Sequence, residues 1–267
     1  MTVSATDKPT HRPPSSAAKS TPSVLQAMAD LRPEHVAFLG EYSASAQDRR
    51  IDVQILCWPT VSAAWSMLTQ SLTMLQPLRR GDGPASLRTP IASWLHDVAP
   101  QLCLPVREPN AAESTLATLI RRLPLRFAVA VVEHQAGQSS GSDALRYRSL
   151  YSGCLTAYGA YLKSTNQTAC RIIIASPGNA TDNDLRRATY NEVLPHLDSA
   201  ARLGALELGF WPETSVPLPM EVAQLAAASV GRHLERPSEA SPLFETVRAH
   251  LAPPSRFHSL SRQKRRK

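Results

Sequence analysis

The chain has 267 residues, 43% of them hydrophobic, and a formal net charge of +7. That is enough to bury a sizeable core without disulfides, and the four cysteines, Cys57, Cys103, Cys154 and Cys170, form no CxxC pair, which favours reduced thiols over a disulfide frame or a thiolate zinc site. No apolar run approaches the roughly eighteen residues of a membrane span, and the Pro-, Ser- and Thr-rich first twenty residues carry no secretory h-region, so the expected location is cytoplasmic, with no membrane partner.

The charge is concentrated at the ends. The last twelve residues, RFHSLSRQKRRK, carry six cations and no acid; Lys8, Arg12 and Lys19 stand against Asp7 in the first twenty-one; the body between is left at −1. A nucleic-acid groove gathers Lys and Arg on the folded surface, and this body has no such excess. Residues 1–21 read as a disordered arm, 22–253 as a single α/β domain and 254–267 as a basic tail. In that tail Arg262, Lys264, Arg265, Arg266 and Lys267 would attract nucleic acid weakly and non-specifically, in a salt-dependent way.

Within the body, HVAFLG (35–40) and IDVQILCW (51–58) read as two strands joined by a polar loop, close enough in sequence to pair antiparallel. TVSAAWSMLTQSLTMLQPL (60–78) has helical spacing, with Val61, Trp65, Leu68, Leu72 and Leu75 on one face, and GDGP (81–84) breaks it. Short helices are expected near 89–97 and 111–122. LRFAVAVVE (125–133) reads as a buried central strand. A helix over 142–164, with Ser142 as cap, carries Tyr147, Tyr151, Tyr158 and Tyr161 as an aromatic stripe suited to core or partner packing. CRIIIAS (170–176) is a further buried strand. TDNDLRRATYNEVLPHLD (181–198) is a helix capped through Asp182 and Asp184 and limited by Pro195. GALELGFW (204–211) reads as a last strand, and 218–234 and 242–251 as closing helices. Strand–helix units after an initial strand pair point to a mixed sheet flanked by helices.

Motifs with mechanism are few. There is no GxxxxGK[ST], GxGxxG or GxSxG, and the eight histidines show no HxH or HxxxH spacing. Glu133 and His134 end the strongest strand, a common place for functional residues, although the start of the polar loop HQAGQSSGS explains them better. In LPMEVAQLAAASVGRHLERP (218–237), Val222, Leu225, Ala226, Ser229 and His233 form a small apolar face suited to a sheet, beside a stripe of Glu221, Gln224, Ala228 and Arg232.

Three segments together resemble an uncharacterised family, domain of unknown function 3800. The stretch Met220–His233 with PLFETVRAH after it is similar to that family's C-terminal helix, Glu221 falling where the family has Gln and Gln224 where it has Asp. HVAFLGEYSAS resembles its opening strand ending in Asp-Glu-Ser-Gly, with Gly40 in the Asp place, Glu41 in the Glu place, and Tyr42 and Ser43 after it. CRIIIASPGNATDNDLRRATYNEV resembles its strand ending in Glu, Ala175 taking that place. The resemblance implies an α/β, ribonuclease-H-like fold in which acids on a first strand, a later strand and a final helix would hold two divalent ions about 3.5–4 Å apart. Here the three places hold Gly40, Ala175 and Gln224. Hard cations need charged oxygens, so the resemblance implies a catalytically degenerate domain that acts through binding, with no cofactor. The alternative is a metal-dependent phosphodiesterase using Mg²⁺ or Mn²⁺ on a rebuilt set of Glu41, Glu133 and Glu221. A third reading is a structural module that forms homo-oligomers or holds a protein partner through the tyrosine-bearing helix or the 60–78 helix.

Overall fold

The structure is a computed structural model. It describes residues 36–46, 49–61, 63–64, 66–67, 111–135, 143–167, 171–176, 178–198, 207–212, 217–252 and 258–259. In chain order the elements are β1 (Val36–Ala46), β2 (Arg49–Pro59), α1 (Ala111–Arg121), β3 (Leu125–Gln135), α2 (Asp143–Ser164), β4 (Arg171–Ser176), α3 (Ala180–Val193) with a 3₁₀ turn at Leu194–His196, β5 (Glu207–Pro212), α4 (Leu218–Glu235), α5 (Pro242–Ala249) and β6 (His258–Ser259).

The strands form one mixed sheet in the order β5-β4-β1-β2-β3-β6. β2 is antiparallel to both its neighbours, while β4 runs parallel to β1, β5 to β4 and β6 to β3. The chain builds outward from β1 through β2 and β3, then returns to the other side of β1 for β4 and β5. The ladder between β1 and β4 is recorded up to Leu39↔Ile174. β1 and β2, however, pair as far as Ala46↔Arg49. Past Leu39 the pairing with β4 stops, although β4 itself runs on to Ser176 beside β5.

Side chains alternate across the sheet, and each face has its own cover. Odd positions of β1 and even positions of β2, β3 and β4 join α2 and α3 in a core containing Leu39, Leu56, Trp58, Ala130 and Ile174 with the tyrosines of α2. Trp58 packs on Tyr158 and Tyr161 with ring centroids 4.5 and 5.2 Å apart, and Tyr151 meets Tyr190 edge-on at 5.6 Å. The tyrosine stripe of α2 is thus taken up by the chain's own core. The opposite face is covered by α4, which lies on β1 and β2, with α5 against α4 and α1 against α5.

Several expectations are corrected. The polar loop after the first strand is strand: β1 continues through Ser43 and Ser45, which pair with Asp52 and Arg50. Val61 is 46% exposed and precedes the first helical residue, Ala64, instead of facing a core. Trp65, residues 68–78, the 89–97 segment and Ser142 lie outside the described residues. The helix expected from 181 begins at Ala180, and its cap is Asn179, whose side chain accepts from the Thr181 N–H at 3.0 Å; Asp184 pairs instead with exposed Arg187 at 3.5 Å. Within the expected basic tail, His258 and Ser259 pair with Ala130 and Val131, and Arg262 and Lys264–Lys267 lie outside the described residues.

On α4 the buried residues are Met220, Val222, Ala223, Ala226, Ala227, Ser229, Val230 and Gly231. Leu225 and His233 are only half-buried. The helix is covered on two sides: Ser229 bonds Ser241 at 2.8 Å and His233 stacks on Phe244 at 3.7 Å, while the alanine stripe meets the sheet. The approach there is close. A Cβ on Gly40 would sit inside contact distance of the Ala223 carbonyl carbon and oxygen and 2.5 Å from the Gln224 nitrogen, all backbone atoms. A Cβ on Gly209 would meet nothing nearer than 3.5 Å. Gly40→Ala should therefore lower stability by at least about 1–3 kcal/mol, the cost of overpacking, whereas Gly209→Ala should raise it by about 0.5 kcal/mol by restricting the unfolded chain; urea unfolding followed by circular dichroism reads both.

Candidate functional site

The ends of β1 and β4 mark the point where the chain reverses its direction of sheet growth, the place where sheets flanked by helices open crevices for ligands. Two neighbouring residues of β1 face opposite ways there. Gly40 faces α4, and Glu41 faces α2 and α3.

Of the three positions matched by resemblance, Gly40 and Ala175 lie on the sheet face toward α4, and Gln224 lies on α4 itself. Gly40 touches the backbone at Ala223 and Gln224, and Ala175, one residue past Ile174, continues the register that sets β4 beside β1. What they form is packing, with no carboxylate among them. Glu221 lies in the first turn of α4, where the helix macrodipole favours an acid. Glu133 is also on this face, 3.8 Å from Arg49, both half-exposed, and Arg49 donates to the Leu234 carbonyl at 2.8 Å. Glu41 is on the other face, so Glu41, Glu133 and Glu221 do not converge. Among the described residues no three His, Cys, Asp or Glu side chains are grouped to hold a metal ion, and the residues present do not fit a two-metal centre.

The α2–α3 face holds a cleft of about 230 Å³ lined by Glu41, Ser43, Arg50, Asp52, Val53, Arg146, Tyr147, Leu150 and Arg186. Glu41 and Ser43 come from the part of β1 past its pairing with β4, Asp52 from the position on β2 paired with Ser43, Arg146 and Tyr147 from α2, and Arg186 from α3. Asp52 is 1% exposed. Its Oδ1 accepts from the Ser43 hydroxyl, from Arg50 Nε at 3.3 Å and from Arg146 Nη1 at 3.4 Å. His134 Nε2 lies 3.9 Å from Oδ2. Glu41 Oε2 accepts from Arg186 Nη1 at 2.6 Å, and Oε1 from Gln54 Nε2 at 3.1 Å. Burial works against the charge on Arg186, but Glu41 beside it more than offsets this and holds the guanidinium above its ordinary value. Both Arg146 and Arg186 lie over the Tyr147 ring, at 4.7 and 4.6 Å, and burial pushes that phenol up.

Ser43, Asp52 and His134 do not make a hydrolytic triad. A nucleophilic serine needs its hydroxyl on a base that will take the proton, with the acid behind the base; here Ser43 donates directly to Asp52. Cys57 and Cys154 are fully buried, and burial pushes both thiols up, so neither is a nucleophile in the folded state. The arrangement is one of fixed charges suited to holding a ligand.

Sequence reasoning named Glu41, Glu133 and Glu221 but missed Asp52, Arg146 and Arg186. The signal for the first was present: in IDVQILCW the polar Asp52 and Gln54 alternate on one face of an otherwise apolar strand. Neither a family model nor a curated protein matches the chain.

The Glu41–Arg186 pair spans 145 positions in sequence and ties β1 to α3. Arg186→Gln should cost about 2 kcal/mol, because it strands a half-buried carboxylate. The double variant Glu41→Gln/Arg186→Gln should cost less than Arg186→Gln alone, and a double-mutant cycle by urea unfolding measures the difference. Native Cys57 and Cys154 should resist alkylation by iodoacetamide and react once the chain is unfolded, as peptide mass spectrometry would show.

Proposed function

We propose that the chain is a divergent relative of the domain of unknown function 3800 family, a ribonuclease-H-like domain that has given up two-metal phosphodiester chemistry and acts by binding. The carrying observation is the contact at Gly40. In the family pattern this position bears an aspartate, yet here there is no room for even a Cβ between β1 and the backbone of α4. The face that would hold the metals is packed shut around the missing side chain. The strand order supports the topology: a three-strand antiparallel meander, then two parallel strands added on the far side of β1 with helices between.

Glu41, the one acid kept from the first motif, is held by Arg186 and Gln54 on the other face. A carboxylate so neutralised would have to break both contacts to take a hard cation. The basic tail with Arg262 and Lys264–Lys267 adds a non-specific, salt-dependent attraction to nucleic acid, and a protein partner or a second copy fits the same binding role. No helix among the described residues is long and apolar enough to cross a membrane.

Calorimetric titration with Mn²⁺ tests the reading. The wild-type chain should give no saturable heat, and single-stranded RNA and DNA should remain uncut in its presence. Tight Mn²⁺ uptake that Glu41→Ala abolishes would overturn it.

A further inference from the structure

We propose that the cleft between β1–β2 and α2–α3 binds a small oxyanion, a carboxylate or phosphate group, on the guanidinium groups of Arg146 and Arg186. The proposal gives a ligand class to the binding role above, and so rests on that reading. Its first support is charge: the lining carries Arg50, Arg146 and Arg186 against Glu41 and Asp52, a net +1. Outside that lining, Asp143 meets Arg146 at 3.3 Å but is 66% exposed, and His134 lies beside Asp52.

The second support is a pair of open buried donors. Arg186 gives Nη1 to Glu41, and Arg146 gives Nη1 to Asp52. The Nε–H groups of both arginines are buried without an acceptor, and on the acceptor side Asp52 Oδ2 is buried without a donor. Arg186 as a whole is only 9% exposed. A buried N–H left unpaired costs about 1–3 kcal/mol, and an arginine fork presents five donors in fixed geometry suited to two-oxygen acceptors. One oxyanion would answer the charge and the open donors together.

The third support is preorganisation. Both guanidiniums rest on the Tyr147 ring, and Asp52 is fixed by Ser43, so the donors are already held and little side-chain freedom is lost on binding. The volume of about 230 Å³ suits a head group a few atoms across. Solvent reaches it past Ser43, which is exposed, and past Arg50, whose side chain is 37% exposed.

The test is an amide and arginine Nε–Hε nuclear magnetic resonance titration of the full chain at low ionic strength, with inorganic phosphate in one arm and acetate in the other. The expected result is saturable shifting of the Arg146 and Arg186 Nε–Hε signals in the low-millimolar range, and the tighter arm assigns the group as phosphate or carboxylate. Affinity should fall at least tenfold in Glu41→Gln/Arg186→Gln, which removes the guanidinium without orphaning the carboxylate. The same loss is expected in Arg146→Gln, where Asp52 keeps Ser43 and Arg50; Arg236→Gln should change nothing. Should neither anion saturate, or should binding persist undiminished in the cleft variants, the proposal is overturned. The Mn²⁺ titration separates the two readings: no anion binding with no Mn²⁺ uptake removes this one alone, while tight Mn²⁺ uptake removes the one it rests on.

Discussion

The structure depends on how closely α4 lies against β1. At Gly40 the strand backbone meets the helix backbone at Ala223 and Gln224 with no side chain between. About two turns further along the helix, the ring of Tyr42 takes the space over Gly231, where a Cβ would come within 2.9 Å of the ring's Cγ. The tyrosine hydroxyl reaches Glu235 at 3.2 Å. Ala226, Ala227 and Val230 are then fully buried, on a helix packed over β1 and β2. Close-packed interiors transmit such constraints: a larger residue at position 40 would lift the helix and loosen this whole interface.

That contact has a chemical consequence because strand residues alternate. Sealing the face of Gly40 leaves the next residue, Glu41, on the opposite side, past the last pairing of β1 with β4. The charges there are paired, Glu41 with Arg186 and Asp52 with Arg146 and Arg50. Half-buried ion pairs contribute little net stability, since desolvation offsets most of the attraction. The cluster is better understood as a constraint on what can enter the cleft than as a source of stability.

Much of the fold is legible in the sequence, because long apolar runs such as 125–133 and 170–176 report burial directly, and the alternation of strands with helical spacing gives the mixed sheet. The misses share a cause, which is that local pattern does not show what lies opposite. Ser43 and Ser45 look like loop residues until the polar face of β2 is set against them. Leu225 outranks Ala223 by hydrophobicity, yet the sheet takes the alanines because only small residues allow the close approach. Asn179 caps the helix before the two aspartates that seemed placed for it. The cleft is the least legible feature of all: Arg146 and Asp52 are 94 positions apart, and nothing in either segment names the other.

The position of Glu41 also limits how such a site could change. A two-metal centre needs its carboxylates to converge on one volume, and the sheet itself stands between Glu41 and the helix bearing Glu221 and Gln224. Placing an acid at Ala175 or Gln224 would put charge on the sealed face, with Gly40 still barred by the helix backbone. Moving Glu41 to that face would take a one-residue register slip of β1, which would carry Leu39 and Ser43 to the α4 side and turn Phe38 and Tyr42 into the α2–α3 core. The strand register therefore decides which face Glu41 serves, and in this chain that is the face of α2 and α3.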